Sequence, residues 1–365
     1  MGFHKRLSMK ICWFNIVLPA LLALGTSPLT AQGEWYPFPV ESWDPPFNME
    51  SPRTQVDYVA LEKADKEWNI HVFFPHMKDA YWLAVNYGVA AEARRLGVRM
   101  TLKQAGGYDN LATQMAQIEE SLAAGVDGVV IGAISYTGLD SLVAAIRARD
   151  LPVVDVINGM SYKHLSAKSL VSFGEMGYKA GDYIARRHAA ESEPVKVAWF
   201  PGPQGAGWVQ VGDAGFKKAV EKSAIDIVAT RYGDTGKNAQ EALLEEVLDE
   251  EPNLAYIAGT AVTAEVAVKV LRKRGLSEKV KIVAYYFTPG VYRGIKRGKI
   301  LAAPTDSAVI QGRIAIDQIA RLLEGKPYLK HVGPSLQVID ASNIDSFERG
   351  TSLAPSGFRA TYTVN

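Results

Sequence analysis

From Asn69 onward the chain alternates short apolar runs with amphipathic stretches, and that rhythm restricts its architecture more than any other feature. The short runs, at 70–74, 99–103, 128–131, 153–156, 170–173, 195–200, 225–232, 254–258 and 280–286, are rich in β-branched and aromatic residues and read as strands. Between most of them, apolar residues recur at helical spacing over 83–95, 110–124, 138–149, 176–190, 210–223, 239–251 and 262–274. Gly97, Gly125, Gly181 and Gly275 fall near predicted helix ends, where C-terminal caps belong. Such alternation predicts an α/β chain whose parallel sheets carry helices on both faces. The pattern also repeats. A helix end, a glycine cap and a buried strand over 123–131 have a counterpart over 251–258. Two halves, 69–173 and 174–283, therefore predict paired doubly wound parallel-sheet lobes. Late strands at 300–306 and 336–340, with a helix at 309–323 between them, complete the expectation. It assigns 69–173 plus 284–305 to an N-terminal lobe, 174–283 plus 306–340 to a C-terminal lobe, and 341–365 to a terminal segment.

A chain of 365 residues exceeds one ordinary core, and 48% hydrophobic with 22% charged residues is the composition of a folded globular protein. Lys5, Arg6 and Lys10 precede an apolar run over 11–24, and small residues follow as far as Ala31. That predicts a signal peptide over 1–31, cleaved near Ala31, and a secreted, periplasmic chain. The run is short for a membrane span, so the protein is not expected to be membrane-embedded. Cleavage removes three basic residues and no acid, so the formal charge goes from +1 to −2. Without a basic surplus, nucleic acid is not the expected partner. The single cysteine, Cys12, would leave with the leader, which removes disulfides and thiolate chemistry. Over 32–68 five prolines and several aromatics, among them Trp35, Trp43 and Phe47, predict an irregular extension packed on a surface.

Enzymatic motifs are missing. The six histidines, His4, His71, His76, His164, His188 and His331, show no paired metal spacing, so no metal and no cofactor is expected. No GxSxG elbow occurs, and Gly236-Lys237 lacks the rest of a Walker loop. The glycine-rich turn 201–208 has two prolines where a phosphate cradle needs N–H donors, and it ends on Trp208.

Ligands of open α/β folds bind beyond the carboxyl ends of the strands. Those ends carry Asp79, Tyr81 and Trp82; Tyr108; Ser135; Phe173; Trp208; Tyr232; and Tyr286. Asp79 stands where an N-cap is wanted, and Tyr81 and Trp82 taken alone would be core residues beside it. Collected across one interlobe cleft, the aromatics instead suit a small ligand with a desolvated positive end. Phenol and indole groups could also donate to an oxygen on that ligand.

Val126 to Gly132, Leu151 to Asp155 and Ile282 to Pro289 resemble strands of the sugar-binding and LacI-type periplasmic binding proteins. That resemblance, over about 69–340, implies two lobes joined by crossover strands with ligand between them. Tyr286 replaces the acid that sugar binders carry there, Trp208 stands near their usual arginine, and Asp306 falls near a polar contact position. Lys78 to Gly88, Ala105 to Leu111, Gly132 to Ser135 and Pro201 to Trp208 resemble, more specifically, the TorT-type periplasmic proteins. That likeness implies a ligand, trimethylamine N-oxide (TMAO), and a partner, the periplasmic domain of a sensor histidine kinase that controls TMAO respiration. In that setting Tyr81, Trp82, Tyr108, Trp208 and Tyr286 are expected to cage the trimethylammonium end. Asp79 would balance its charge, and Ser135, Phe173, Tyr232 and Asp306 would add contacts. A solute-binding protein that feeds a sugar or quaternary ammonium compound to an ABC importer shares the fold and compartment. A secreted enzyme is the remaining alternative, and it lacks a visible nucleophile–base pair.

Overall fold

The β-branched strands and capped amphipathic helices appear where the alternation places them, with additions at both ends of the chain. The structure is a computed structural model that describes residues 1–3, 35–188 and 193–365. The expected leader with Cys12, and part of the helix expected at 176–190, lie outside the described residues. Contacts divide the chain into Met1–Trp35 and Tyr36–Asn365, and the second unit holds all of the elements below.

The chain begins with β1 (Phe38–Trp43) and β2 (Arg53–Tyr58). The first alternating run is β3 (Asn69–Phe74), α1 (Ala80–Leu96), β4 (Arg99–Gln104), α2 (Leu111–Ala123), β5 (Gly128–Ile131), α3 (Asp140–Arg147), β6 (Val153–Val156) and β7 (Ala167–Ser169). The second is α4 (Phe173–Ala185), β8 (Val195–Gly202), α5 (Gly207–Val220), β9 (Ile225–Tyr232), α6 (Lys237–Glu250), β10 (Tyr256–Gly259), α7 (Ala261–Lys273), β11 (Lys281–Ala284) and α8 (Pro289–Lys296). Then come β12 (Ala302–Thr305), α9 (Ala308–Leu323), β13 (His331–Pro334), β14 (Gln337–Asp340) and β15 (Thr363–Val364). One sheet has the order β15-β4-β3-β5-β6-β7-β13-β1-β2, the other β14-β12-β11-β10-β8-β9. Neighbours β3 to β7 and β8 to β12 pair in parallel. Antiparallel strands occupy the margins. This is the α/β fold of type I periplasmic binding proteins.

Three expectations need correction. The proline-rich segment is a hairpin, and β1 lies inside the first sheet between β13 and β2. Pro39 precedes the β1–β13 ladder, which starts at Val40, so its missing N–H costs no bond there. Trp43 stacks on His331 with ring centroids 4.3 Å apart, so the aromatic segment covers this chain's own surface.

The expected allotment of 284–305 and 306–340 is largely exchanged. β12 continues the second sheet beside β11, whereas α9 packs on α1 and on β5 to β7, and β13 joins the first sheet. Only β14 returns to the second. Periodicity marks an element but not the sheet that claims it. For α9 the reason is a close helix pair: a side chain at Gly312 would come within 2.6 Å of the Val85 carbonyl oxygen on α1.

The strand expected at 170–173 is three residues earlier, and Phe173 opens α4, capped by the Ser172 hydroxyl, which accepts from the Glu175 N–H at 3.1 Å. Gly97, Gly125 and Gly275 do take left-handed φ angles at helix ends. Gly181 instead sits within α4, where a Cβ would meet the Phe216 carbonyl oxygen of α5 at 2.8 Å.

Candidate ligand-binding site

Pro75 closes β3, and Asp79 then starts α1: the Trp82 N–H donates to the Asp79 carboxylate at 3.0 Å. That cap directs Tyr81 and Trp82 into a cavity at the carboxyl ends of the first sheet. Trp82 is held on Phe74, with ring centroids 4.6 Å apart, and lies over Gly132, where a Cβ would approach the indole to 2.6 Å. Tyr108 joins from the β4–α2 loop and Asn158 from beyond β6. The opposite wall belongs to the second sheet. Phe173 and Trp208 project from the first turns of α4 and α5, Tyr286 follows β11, and Thr235 follows β9. The turn into α5 uses Gly202 and Gly205 at positive φ (120° and 90°), conformations that suit glycine. Behind the wall, the Tyr285 hydroxyl donates to the Trp208 carbonyl oxygen at 3.0 Å.

The two walls meet through aromatic pairs, Tyr81–Tyr286 edge to face and Tyr108–Trp208 tilted by 55°. Tyr81 contacts Tyr286 at 5.2 Å between centroids, and Tyr108 contacts Trp208 at 6.1 Å. The enclosed space is small: the centre of a water molecule has about 20 Å³ to occupy. That holds about one ordered water, which needs ~10–15 Å³, so the two walls must part to admit a ligand of several heavy atoms. Two polar contacts also join the walls. Lys78 Nζ donates to both Asp234 carboxylate oxygens at 2.7 and 2.8 Å, and His76 Nε2 lies 3.3 Å from the Thr235 hydroxyl. The Lys78–Asp234 pair is about one-third exposed, so its contribution is modest. We expect Lys78→Ala to weaken ligand binding by no more than about fivefold in calorimetry, consistent with the up to ~1 kcal/mol of an exposed pair.

Charge in the cavity is one-sided. Among the described residues no Lys or Arg side chain lines it, and Asp79 is its one acidic wall residue. The Asp79 side chain is 9% exposed. Burial lifts its pKa from 3.8 to about 6, against the Trp82 and Tyr81 backbone N–H groups, which favour the ionised form. Burial also lowers His76 to about 4, with Lys78 adding to the effect, so His76 is neutral at physiological pH. Tyr81, Tyr108 and Tyr286 are pushed upward, first by burial, and remain hydroxyl donors. The indole N–H groups of Trp82 and Trp208 approach the Tyr108 hydroxyl closely enough to favour its ionised form. Even so, Nε1 of Trp208 is buried and completes no hydrogen bond among the described residues. A buried donor without a partner is costly unless something else accepts from it.

Seven of the ten sequence-derived candidates line the cavity: Asp79, Tyr81, Trp82, Tyr108, Phe173, Trp208 and Tyr286. Asp306 lies one layer behind, accepting from the Tyr81 hydroxyl at 2.5 Å and from Gln311 at 2.8 Å. Ser135 and Tyr232 stand elsewhere. The Ser135 hydroxyl accepts from the Gly138 N–H in a turn, and Tyr232 is exposed, donating to Asp213 at 3.0 Å. Strand-end position alone does not tell which way a side chain turns. Asn158 and Thr235 were missed because an aromatic criterion overlooks polar residues. Each follows a predicted strand end, so position would have found them. Among the described residues no His, Cys, Asp and Glu group could hold a metal ion, and no helix is long and apolar enough to cross a membrane.

Residues 70–327 match the periplasmic binding protein domain family. The periplasmic protein TorT of Escherichia coli K12 is 35% identical over 302 residues, covering 82% of this chain and 86% of that one. An ABC transporter solute binding protein from Bradyrhizobium sp. BTAi1, solved with bound bis-tris, is 52% identical with a TM-score of 0.79. It covers 91% of this chain and 100% of its own. A complex of the TorS sensor domain with TorT, in the presence of TMAO, matches at 33% identity and a TM-score of 0.74, covering 81% of this chain and 99% of that one.

Proposed function

The chain belongs to the periplasmic binding protein domain family, as a TorT-type member, and from that premise we propose that it binds TMAO and reports it to a sensor histidine kinase. Members of the family bind solutes and are not enzymes. The observation that carries the ligand is the cavity itself: among the described residues it has aromatic walls, one carboxylate, no cation, and a buried indole N–H without a hydrogen-bond partner. TMAO has three methyl groups on a positive nitrogen and one negative oxygen. Tyr81, Trp82, Tyr108, Trp208 and Tyr286 face the methyl groups, at about 0.5–2 kcal/mol for each aromatic contact. Asp79 balances the nitrogen's charge, and Trp208 Nε1 donates to the oxygen. TMAO respiration is the system the kinase would control. The leader ending near Ala31 is cleaved on passage to the periplasm.

A second reading has its own support. The Bradyrhizobium relative is named an ABC transporter solute binding protein, and its bis-tris is an amine that carries hydroxyl groups. In that reading a nitrogen-centred solute occupies the same cavity and the partner is an importer.

Calorimetry on residues 32–365 with TMAO, trimethylamine, glycine betaine and ribose tests the ligand. TMAO is expected to bind at least tenfold more tightly than trimethylamine, with no heat from ribose. Trp208→Phe, which keeps the ring and removes the N–H, is expected to erase most of that tenfold preference, about the ~1.4 kcal/mol of one net hydrogen bond. Tight ribose binding without a response to TMAO would sink the proposal. Binding to a purified kinase periplasmic domain, against binding to a permease, separates the two partners.

A further inference from the structure

Away from the ligand cavity, a groove of about 410 Å³ runs between α7 and α8. Val268 and the buried Ile300 contribute apolar surface, while Arg272, Arg293, Arg297 and Lys299 stand around it. Its one acidic lining residue, Glu265, already accepts from the Thr288 hydroxyl at 2.6 Å. Cations beside this groove are neutralised: Arg274 by Glu245 and Asp249, Lys269 by Glu241, Lys296 by Asp345. Lys299 lies 3.7 Å from Glu278. Among the described residues, Arg272, Arg293 and Arg297 have no carboxylate within ion-pairing distance. Arg272 and Arg293 occupy the last turns of their helices, where the dipole favours any cation by about 0.3–1 kcal/mol. That effect does not require guanidinium groups, nor three of them around one groove.

We infer that the α7–α8 groove is the surface on which a carboxylate-bearing segment of the sensor kinase's periplasmic domain docks. Guanidinium forks bind carboxylates in bidentate fashion, and arginine is enriched at protein interfaces while lysine is depleted. Three arginines without counter-ions over apolar ground complement an acidic, partly apolar helix or strand. The groove also adjoins the ligand site. Thr288, the cap of α8, is two residues beyond the cavity wall Tyr286, so a shift of that wall is passed directly to α8. The inference rests on the kinase reading above.

The test measures binding of wild-type protein and two variants to the purified periplasmic sensor domain, with TMAO calorimetry run on each. Arg272→Glu/Arg293→Glu/Arg297→Glu reverses the groove. Arg149→Glu/Lys163→Glu/Lys330→Glu applies the same charge change to exposed cations on the side of the first sheet. The groove variant is expected to bind the sensor domain at least tenfold more weakly, with a shallower salt dependence and unchanged TMAO binding. The control is expected to stay within twofold. Equal loss in both variants, or no loss in the groove variant, overturns the inference while leaving the kinase reading intact. Failure of the wild-type protein to bind the sensor domain overturns both.

Discussion

Asp79→Asn is expected to weaken TMAO binding by about 100-fold while leaving the protein as stable as before, or more stable. Asparagine caps a helix as well as aspartate does, so the Trp82 N–H keeps its acceptor. What disappears is the charge. A unit pair about 6 Å apart at an effective dielectric of about 20 is worth ~3 kcal/mol, and the ligand's negative oxygen takes back a part of it, so this is the upper bound of the loss. Stability moves the other way because burial raises the carboxyl pKa from 3.8 to about 6. The folded state therefore holds the proton more tightly than the unfolded chain does. The stability this adds is complete below pH 3.8 and is lost as pH rises through about 6. Ionised Asp79 costs the ligand-free protein on the order of 3 kcal/mol at neutral pH, and the positive nitrogen of the ligand offsets part of that cost. TMAO affinity should accordingly rise as pH goes from 5 to 7 and level off above the Asp79 pKa. Calorimetry across that range, with thermal melts of both proteins, checks both arms. A variant that binds normally, or a flat pH profile, would remove Asp79 from the ligand's surroundings.

Gly212→Ala is expected to be the most damaging small substitution. A methyl group there would overlap the hydroxyl of Tyr285, which is fully buried and donates to the Trp208 carbonyl oxygen at 3.0 Å. The ring cannot retreat, since Trp199 and Phe173 pack its edges at 5.5 and 6.3 Å. α5 must shift instead. Overpacking of this kind costs about 3 kcal/mol, enough to lower the melting temperature by roughly 4 °C in a chain of this length. Because α5 carries Trp208, TMAO binding should weaken too. Tyr285→Phe/Gly212→Ala, which removes the obstructing hydroxyl, should recover part of the stability. A melting temperature equal to wild type in the single variant would contradict this packing.

Much of the site was legible before the fold. Tyr81 and Trp82 were poised between core and contact, and the structure makes them both: they are 6% and 2% exposed, pack against the core and line the cavity. A single Trp82→Ala variant therefore cannot separate the two roles, since truncating a buried tryptophan also costs about 3–5 kcal/mol of stability. Asp79 was likewise both cap and wall. Ser135 and Tyr232 show the weakness of the method. Strand ends locate a neighbourhood, whereas side-chain direction depends on the turn that follows.

What the sequence determined by itself was local and periodic. Uninterrupted β-branched runs, helical spacing and glycine caps set the elements, and their alternation allowed only covered parallel sheets. The residue types at the strand ends set the chemistry of the cavity: most are aromatic, and the basic group beside Asp79, Lys78, pairs with Asp234 and does not line it. Tertiary structure decided how distant pieces meet. It placed β12 with the second sheet and α9 with the first, inserted a proline-bearing strand between β13 and β2, and brought Trp208 to the cavity wall with Nε1 buried and, among the described residues, without a hydrogen-bond partner. The physical reason is common to all three. Hydrogen-bonded edges and close contacts are matched between separate segments, some of them far apart in the chain, and such matching leaves no periodic trace in either segment.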